Sequence, residues 1–182
     1  MLKHSRPLIV RLLVFAATVL LVALILSVLS WLPSLMQTQR LKKFSSVEMA
    51  HKELRTSRIY MPTYIPEHLG LTWPPSEIYG QDRPFDALIM YVSYKEKQET
   101  GLVIHQISAE ANYEIEPHMD FRKTGDGRRV EIKKRPALLF PALCNGESPC
   151  NAVSWKEEGT VITVIGKCTA QDVIKIAASM LP

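Results

Sequence analysis

The stretch Ala152–Gly166 reads AVSWKEEGTVITVIG and gives the clearest indication of the fold. Apolar and polar side chains alternate from Val153 to Lys156 within AVSWK (Ala152–Lys156), and a β-rich run follows in TVITVIG (Thr160–Gly166). Alternation with a period of two is the pattern of a β-strand, and a short loop containing glycine between two strands is typical of a hairpin. We therefore predict an antiparallel hairpin here, with EEG as its turn.

Two further hairpins are predicted upstream of this stretch. Asp86–Lys95 and Leu102–Glu110 are rich in β-branched and aromatic residues, and KQETG lies between them. Tyr113–Phe121 and Arg129–Arg135 flank TGDGRR, in which the Asp-Gly dipeptide is a favourable hairpin turn.

Two helices are expected around these strands. Ser45 and Glu48 have the spacing of a capping box, which predicts a short helix over about 46–56. Thr169 is a good N-cap for a C-terminal helix, whose apolar stripe consists of Val173, Ile176, Ala177 and Met180. The folded part is thus predicted to be an α+β domain: a curved antiparallel sheet of five to seven strands, with a short helix before it and the C-terminal helix packed on it.

An uncharged run lies at the other end of the chain. No charged residue occurs between Arg11 and Arg40, and Leu12–Leu32 would rise roughly 31 Å as a helix, about the thickness of a bilayer core. A cleavable signal peptide is the rival, but its apolar region is normally shorter and ends in a small-residue site. We expect an uncleaved transmembrane helix at 12–36, in contact with the lipid bilayer.

This expectation sets the predicted organisation: 1–11 as a cytoplasmic tail, 12–36 as the span, 37–44 as a juxtamembrane linker and 45–182 as an extracytoplasmic α+β domain. Lys and Arg are equally frequent on both flanks of the span, and only the free amino group and short tail favour an N-terminus inside. The predicted location is the inner membrane, single-pass, with the C-terminal domain periplasmic or extracellular.

Charge is unevenly distributed along the chain. Six of the 22 Lys and Arg residues lie in 1–43, which contain no Asp or Glu, so the remaining part carries 16 basic against 18 acidic residues. A nucleic-acid-binding domain needs a basic face to neutralise phosphates. We therefore expect no nucleic-acid partner.

The stretch CNGESPC holds two of the three cysteines, Cys144 and Cys150. A redox-active pair is normally Cys-x-x-Cys, and no histidine lies near enough in sequence to point to a metal site. Asn-Gly and Ser-Pro favour turns that bring the two ends within disulfide range. The favoured pairing is Cys144–Cys150, and the alternative in which Cys168 replaces one partner stays open.

A dense basic cluster surrounds the Gly-Asp-Gly turn. Either it is the solvated tip and outer face of a hairpin, or it contacts anionic lipid head groups or an acidic partner. Its members are Arg122, Lys123, Arg128, Arg129, Lys133, Lys134 and Arg135.

Signals for catalysis are weak. There is no Gly-x-Ser-x-Gly, no P-loop and no dinucleotide fingerprint, and the five histidines lack metal-ligand spacing. His105 fits a hydrogen-bonded residue of a sheet. We predict no catalytic residue, no metal and no cofactor.

Three stretches together resemble an uncharacterised family of bacterial membrane-anchored envelope domains. They are SSVEMAHKELRTSRIYMPTYIPEHLGL with Pro62, Tyr64, Pro66 and Gly70, then LIMYVSYKEKQETGLVIHQIS, and finally AVSWKEEGTVITVIGKCTAQDVIKIAASM. The family is distantly similar to the sensory domains of RseB/MucB-type regulators and to lipoprotein-carrier folds. The resemblance implies an extracytoplasmic domain without established catalytic residues.

The function expected from these observations is non-enzymatic. The domain would bind a protein or an amphiphilic ligand in envelope sensing or assembly. The alternatives are an accessory structural subunit of a membrane complex and, less favoured, a hydrolase or lipid-modifying enzyme with scattered residues.

Overall fold

The structure is a computed structural model that describes residues 14–24, 27, 41–54, 58–81, 86–111 and 121–182. The chain divides into two compact units, Met1–Arg40 and Leu41–Pro182. In the first unit the described residues are helical and exposed. All strands described below belong to the second unit.

The second unit is built around one antiparallel sheet with two short helices. Its elements, in chain order, are β1 (Lys42–Phe44), α1 (Val47–Glu53), a 3-10 turn (Glu67–Leu69), β2 (Glu77–Gln81), β3 (Ala87–Ser93), β4 (Thr100–Ser108), β5 (Phe121–Lys123), β6 (Arg128–Ile132), β7 (Arg135–Cys144), β8 (Ser148–Glu157), β9 (Thr160–Gly166) and α2 (Ala170–Ser179).

The strand order of the sheet is β1-β2-β3-β4-β9-β8-β7-β5, and β6 also pairs with β7. The hairpin predicted from Ala152–Gly166 is confirmed as β8 and β9, with Trp155 opposite Ile162. The hairpin predicted from Asp86–Glu110 is confirmed as β3 and β4.

The two faces of the sheet hold different sets of buried side chains. The helical face is the one on which α2 packs, and Leu102, Ile104 and Ile162 lie there without solvent exposure, together with Val173 and Ile176 of the helix. The disulfide face is the opposite one. Its buried residues are Ile89, Tyr91, Val103, Phe140, Ala142, Cys144, Cys150, Ala152 and Ile165.

Both helices begin at a capped residue. Thr169 is the N-cap of α2, as predicted, and its hydroxyl accepts a hydrogen bond from the backbone N–H of Asp172 at 3.2 Å. The prediction of Ser45 as the cap of α1 is wrong by one residue, because Ser46 accepts from the N–H of Met49. The helix is also shorter than predicted and ends at Glu53.

The predicted hairpin turn at Asp126–Gly127 is wrong. The turn lies instead at Lys133–Lys134, which joins β6 to β7 and in which both residues have positive φ. Residues 124–127 interrupt the edge strand between β5 and β6 and lie opposite only Phe140 and Pro141 of β7. An insertion of this kind is a β-bulge, and it keeps β5 and β6 on the same side of β7. Of the predicted strand Tyr113–Phe121, residues 113–120 lie outside the described residues.

The predicted α+β class is also wrong, because a nine-stranded antiparallel sheet dominates the described chain and the helices are two short additions to it. Strands β1, β2 and β7 were not predicted, and the two prolines of β7 hide it from a pattern search.

The transmembrane prediction is contradicted. No helix in the described parts of the chain is long and apolar enough to cross a membrane. Within 12–36 the described residues are 14–24 and 27, and they are helical. The predicted single-pass topology and the inner-membrane and periplasmic location are corrected with it. Residues 1–11 and the rest of that stretch lie outside the described residues.

Candidate functional site

The structure joins Cys144 and Cys150 in a disulfide across the hairpin of β7 and β8. The Cα atoms are 6.0 Å apart, and Cys144 faces Ser148 in the register of the two strands. Asn145 and Gly146 form the intervening turn with positive φ. Both cysteine side chains are buried on the disulfide face, and the bond ties β7 to β8 at the end of this hairpin.

Cys168 is a free thiol between β9 and α2. Burial, and then the neighbouring Asp172, raise the pKa of Cys168 to about 12. The carboxylate of Asp172 accepts a hydrogen bond from the hydroxyl of Thr169 at 2.6 Å and lies 3.4 Å from Nε2 of His68. A nucleophilic cysteine requires a lowered thiol pKa, so this Cys-Asp-His neighbourhood does not activate its sulfur.

The predicted basic cluster does not form one surface. Lys133 donates to the backbone oxygen of Leu181 at 2.7 Å, and Arg135 forms a two-pronged ion pair with Glu157. Lys123 lies over the ring of Phe140, 4.8 Å from its centroid.

The exposed members of the cluster lie along the interrupted edge strand. Directly opposed residues of an antiparallel pair point to the same face. Arg128 opposes Leu139 and so lies on the helical face, whereas Arg129 opposes Leu138 and lies on the disulfide face. Arg122 and Lys123 are neighbours in β5 and therefore also point to opposite faces. Lys134 occupies the turn.

A cleft of about 470 Å³ lies at the end of the sheet near the disulfide loop. We call it the end cleft. It is lined by Leu69, Gly70, Tyr94, Lys95, Glu96, Lys97, Glu99, Ser148 and Lys167.

Four separate segments meet around the end cleft, and backbone hydrogen bonds fix them. The N–H of Lys95 donates to the carbonyl of Gly70 at 2.8 Å, which joins the β3–β4 turn to the 3-10 turn. The N–H of Lys167 donates to the carbonyl of Gly101 at 3.0 Å. A Cβ at Gly101 would lie 2.6 Å from Cδ2 of Leu71 and 2.7 Å from the ring of Tyr94, so the absence of a side chain there leaves room for the Tyr94 ring in the cleft wall. Ser148 comes from the hairpin that the disulfide closes.

An ion pair dominates the electrostatics of the end cleft. Lys167 has a side chain only 10% exposed and donates to the carboxylate of Glu99, which is 47% exposed. This hydrogen bond and the lysine charge lower the pKa of Glu99. Burial raises the pKa of Tyr94, so its phenol stays neutral. The lining thus holds three lysines and two glutamates, next to the apolar surface of Leu69 and Tyr94.

His105 lies on the disulfide face, opposite Ile89 and Thr163. Burial lowers the pKa of His105 to about 4. Its Nε2 is buried and has no hydrogen-bond partner in the described structure. Among the described residues no group of His, Cys, Asp or Glu has the arrangement of a metal site.

The end cleft was missed in the sequence because its lining comes from distant turns that carry no motif. Lys95, Glu96, Lys97 and Glu99 lie in the stretch interpreted only as a hairpin turn. Comparison of the chain with protein-family models, with curated proteins and with solved structures found no match. The resemblance to bacterial envelope domains therefore stays a prediction.

Proposed function

We propose that this protein is a non-catalytic binding domain whose end cleft takes an anionic amphiphile. The observation that carries the proposal is the combination of an apolar wall with three lysines against two glutamates in one recess of about 470 Å³. Recesses of a few hundred Å³ with a few placed polar groups are typical of small-molecule sites.

The position of Lys167 supports a charged ligand. An ammonium group with so little exposure loses much of its hydration and needs an anionic partner. Its partner Glu99 is exposed and lies in a turn, so a ligand carboxylate or phosphate would displace the Glu99 carboxylate and accept the hydrogen bond of Lys167 in its place. Lys95 and Lys97, both exposed on the same turn, add positive charge at the rim.

The aliphatic part of the ligand would lie against Leu69 and Tyr94. Leu69 is partly buried at the end of the 3-10 turn, and Tyr94 packs against the helical-face cluster. A ring with a raised pKa stays uncharged at neutral pH and adds no repulsion to an anionic head group.

Binding of laurate and of lauryl alcohol, which share a chain and differ in charge, tests the proposal. Displacement of a fluorescent fatty-acid analogue from the full chain should show laurate binding and much weaker binding of the alcohol. Lys167→Gln should weaken laurate binding by about five- to tenfold, because one charge-assisted hydrogen bond is lost.

Lys175→Gln is the matched control, since Lys175 is exposed on α2 away from the lining residues. Its affinity for laurate should equal that of the wild type. Equal affinity for laurate and the alcohol, or unchanged affinity in Lys167→Gln, would show that the end cleft does not recognise an anionic amphiphile.

A further inference from the structure

The edge of the sheet formed by β6 offers a second site, independent of the end cleft. Among the described strands β6 pairs with β7 alone. Its residues Arg128, Arg129 and Glu131 are exposed, and Val130 is partly buried. A strand with one unpaired edge presents backbone N–H and C=O groups that another extended chain can pair with.

The geometry of the β6–β7 turn shows which backbone groups point outward. Lys133 and Lys134 have φ of 45° and 67°, as in a two-residue type I′ turn. Ile132 and Arg135 flank that turn and form a hydrogen-bonded pair. From there, non-hydrogen-bonded and hydrogen-bonded pairs alternate along the hairpin. Glu131 and Arg129 therefore occupy non-hydrogen-bonded positions. Their N–H and C=O groups point away from β7.

The residue opposite Glu131 is consistent with this assignment. It is Pro136, which has no N–H to donate to β6. The free edge of β6 thus carries two residues whose backbone donors and acceptors face outward.

Charge at this edge selects the partner. Residues 121–134 contain six basic and two acidic residues. Two copies of so basic an edge would repel each other, which disfavours pairing with a second copy of this chain. An acidic segment would instead be attracted.

The distribution of the cations favours a strand over a flat anionic surface. Arg128 lies on the helical face and Arg129 on the disulfide face, so a planar surface that meets one of them is turned away from the other. Side chains of an added strand alternate between the faces and reach both. Leu138, opposite Arg129 and 42% exposed, gives an apolar contact on the disulfide face.

We propose that the free edge of β6 binds an extended acidic peptide segment of a partner protein by strand addition, with backbone pairing at Arg129 and Glu131 and carboxylates opposite Arg128 and Arg129. The bulge at 124–127 ends the available edge before β5, so the added strand is short.

A fluorescent peptide of repeated Asp-Glu-Val units tests the proposal, since this repeat places carboxylates on both faces of an extended chain. Fluorescence anisotropy with the full chain should show binding that weakens as salt is raised. A peptide in which Asn and Gln replace the acids should bind much less. Arg129→Glu should weaken binding of the acidic peptide by about tenfold.

Two substitutions at Glu131 separate backbone pairing from charge attraction. Both remove the same negative charge, so attraction alone predicts equal, slightly tighter binding in Glu131→Gln and Glu131→Pro. Strand addition predicts that Glu131→Pro, which lacks the outward N–H, binds about fivefold more weakly than Glu131→Gln. Proline is tolerated at an edge position whose N–H faces solvent.

The acidic peptide with N-methylated backbone nitrogens tests backbone pairing without altering the protein, because the peptide then lacks its own N–H donors. It should fail to bind the wild type. Equal affinities of the two Glu131 variants together with binding of the methylated peptide would overturn the proposal. So would binding of vesicles of phosphatidylglycerol and phosphatidylcholine that competes fully with the peptide and is unchanged in Glu131→Pro, because a lipid surface would then be the partner.

Discussion

The helical face of the sheet holds a large apolar cluster covered by α2, whereas the disulfide face combines a smaller cluster with a covalent bond, a buried imidazole and a hydroxyl pair. On the helical face Leu102, Ile104 and Ile162 are fully buried among other hydrocarbon groups. On the disulfide face His105 is followed across the sheet by Thr163 and Ser154, whose hydroxyl oxygens are 3.0 Å apart.

This difference separates two sources of stability. Burial of hydrocarbon does not titrate, so the helical face should keep its contribution over a wide pH range. The disulfide face contains a group that gains a proton and a bond that can be reduced. Its contribution should therefore depend on solution conditions.

The largest expected effect is on the helical face. Leu102→Ala should lower the free energy of unfolding by about 3 to 4 kcal/mol, because a fully buried side chain leaves a cavity in a packed core. Urea unfolding measures the loss. Leu138→Ala, at an exposed position of β7, is the control and should cost less than about 1 kcal/mol. Similar losses in both variants would contradict a dominant helical-face core.

The second effect concerns acid. The pKa of His105 in the folded protein, about 4, lies below the usual value of 6.5, so the unfolded chain binds the extra proton between these values. The contribution to stability is complete above about pH 6.5 and is lost as pH falls to about 4, by about 3 kcal/mol in total.

Unfolding measured at several pH values should show this loss in the wild type and in His51→Gln, whose histidine is exposed. His105→Leu should lack it. If His105→Leu lost as much stability as the wild type between pH 6.5 and 4, protonation of this imidazole would not be the cause.

The third effect is on the disulfide. Replacement of Cys144 and Cys150 by Ala should cost about 2 kcal/mol, the amount expected from closing a short loop in the unfolded chain. Reduction of the wild type should produce a similar loss, measured by urea unfolding. A reductant should leave the double variant unchanged, and a comparable loss there would point to Cys168 instead.

The smallest effect returns to the helical face. Thr169→Ala should destabilise by about 1 kcal/mol, because the first turn of α2 loses its N-cap hydrogen bond. Thr169→Ser keeps the hydroxyl and should be close to the wild type in thermal unfolding. A full loss in Thr169→Ser would show that the methyl group, and not the cap, is responsible.

Local patterns predicted the fold where the chain obeys local rules. Strands β8 and β9 are rich in strand-forming residues on either side of a short turn, and Thr169 caps α2 by a contact within its own first turn. Strand β7 was missed because Pro136 and Pro141 interrupt its pattern. Pro141 is tolerated because β7 faces the bulge there, where its carbonyl accepts from the N–H of Thr124.

The candidate sites were less predictable than the strands. The disulfide joins residues six apart, and the short spacing with its turn residues was enough to favour it. To predict the end cleft, one would have to know the relative positions of four segments. To predict that Arg128 and Arg129 point to opposite faces, one would have to know the position of the turn. From the sequence the turn was predicted at the Asp-Gly dipeptide and not at Lys133–Lys134, because lysines rarely adopt positive φ.

The pairing of β4 with β9 has a kinetic consequence. Among the described strands it alone joins β1–β4 to β5–β9, and Ser108 and Thr160 face each other although they are far apart in the sequence. The other neighbouring strands lie closer together in the chain, even β1 and β2, where Lys42 pairs with Gly80, so the β4–β9 pairing carries the largest loop-closure entropy. Its formation should limit the folding rate. In stopped-flow refolding we expect Val164→Ala, in β9 at the seam, to slow folding more than Val92→Ala, an equally buried residue of β3.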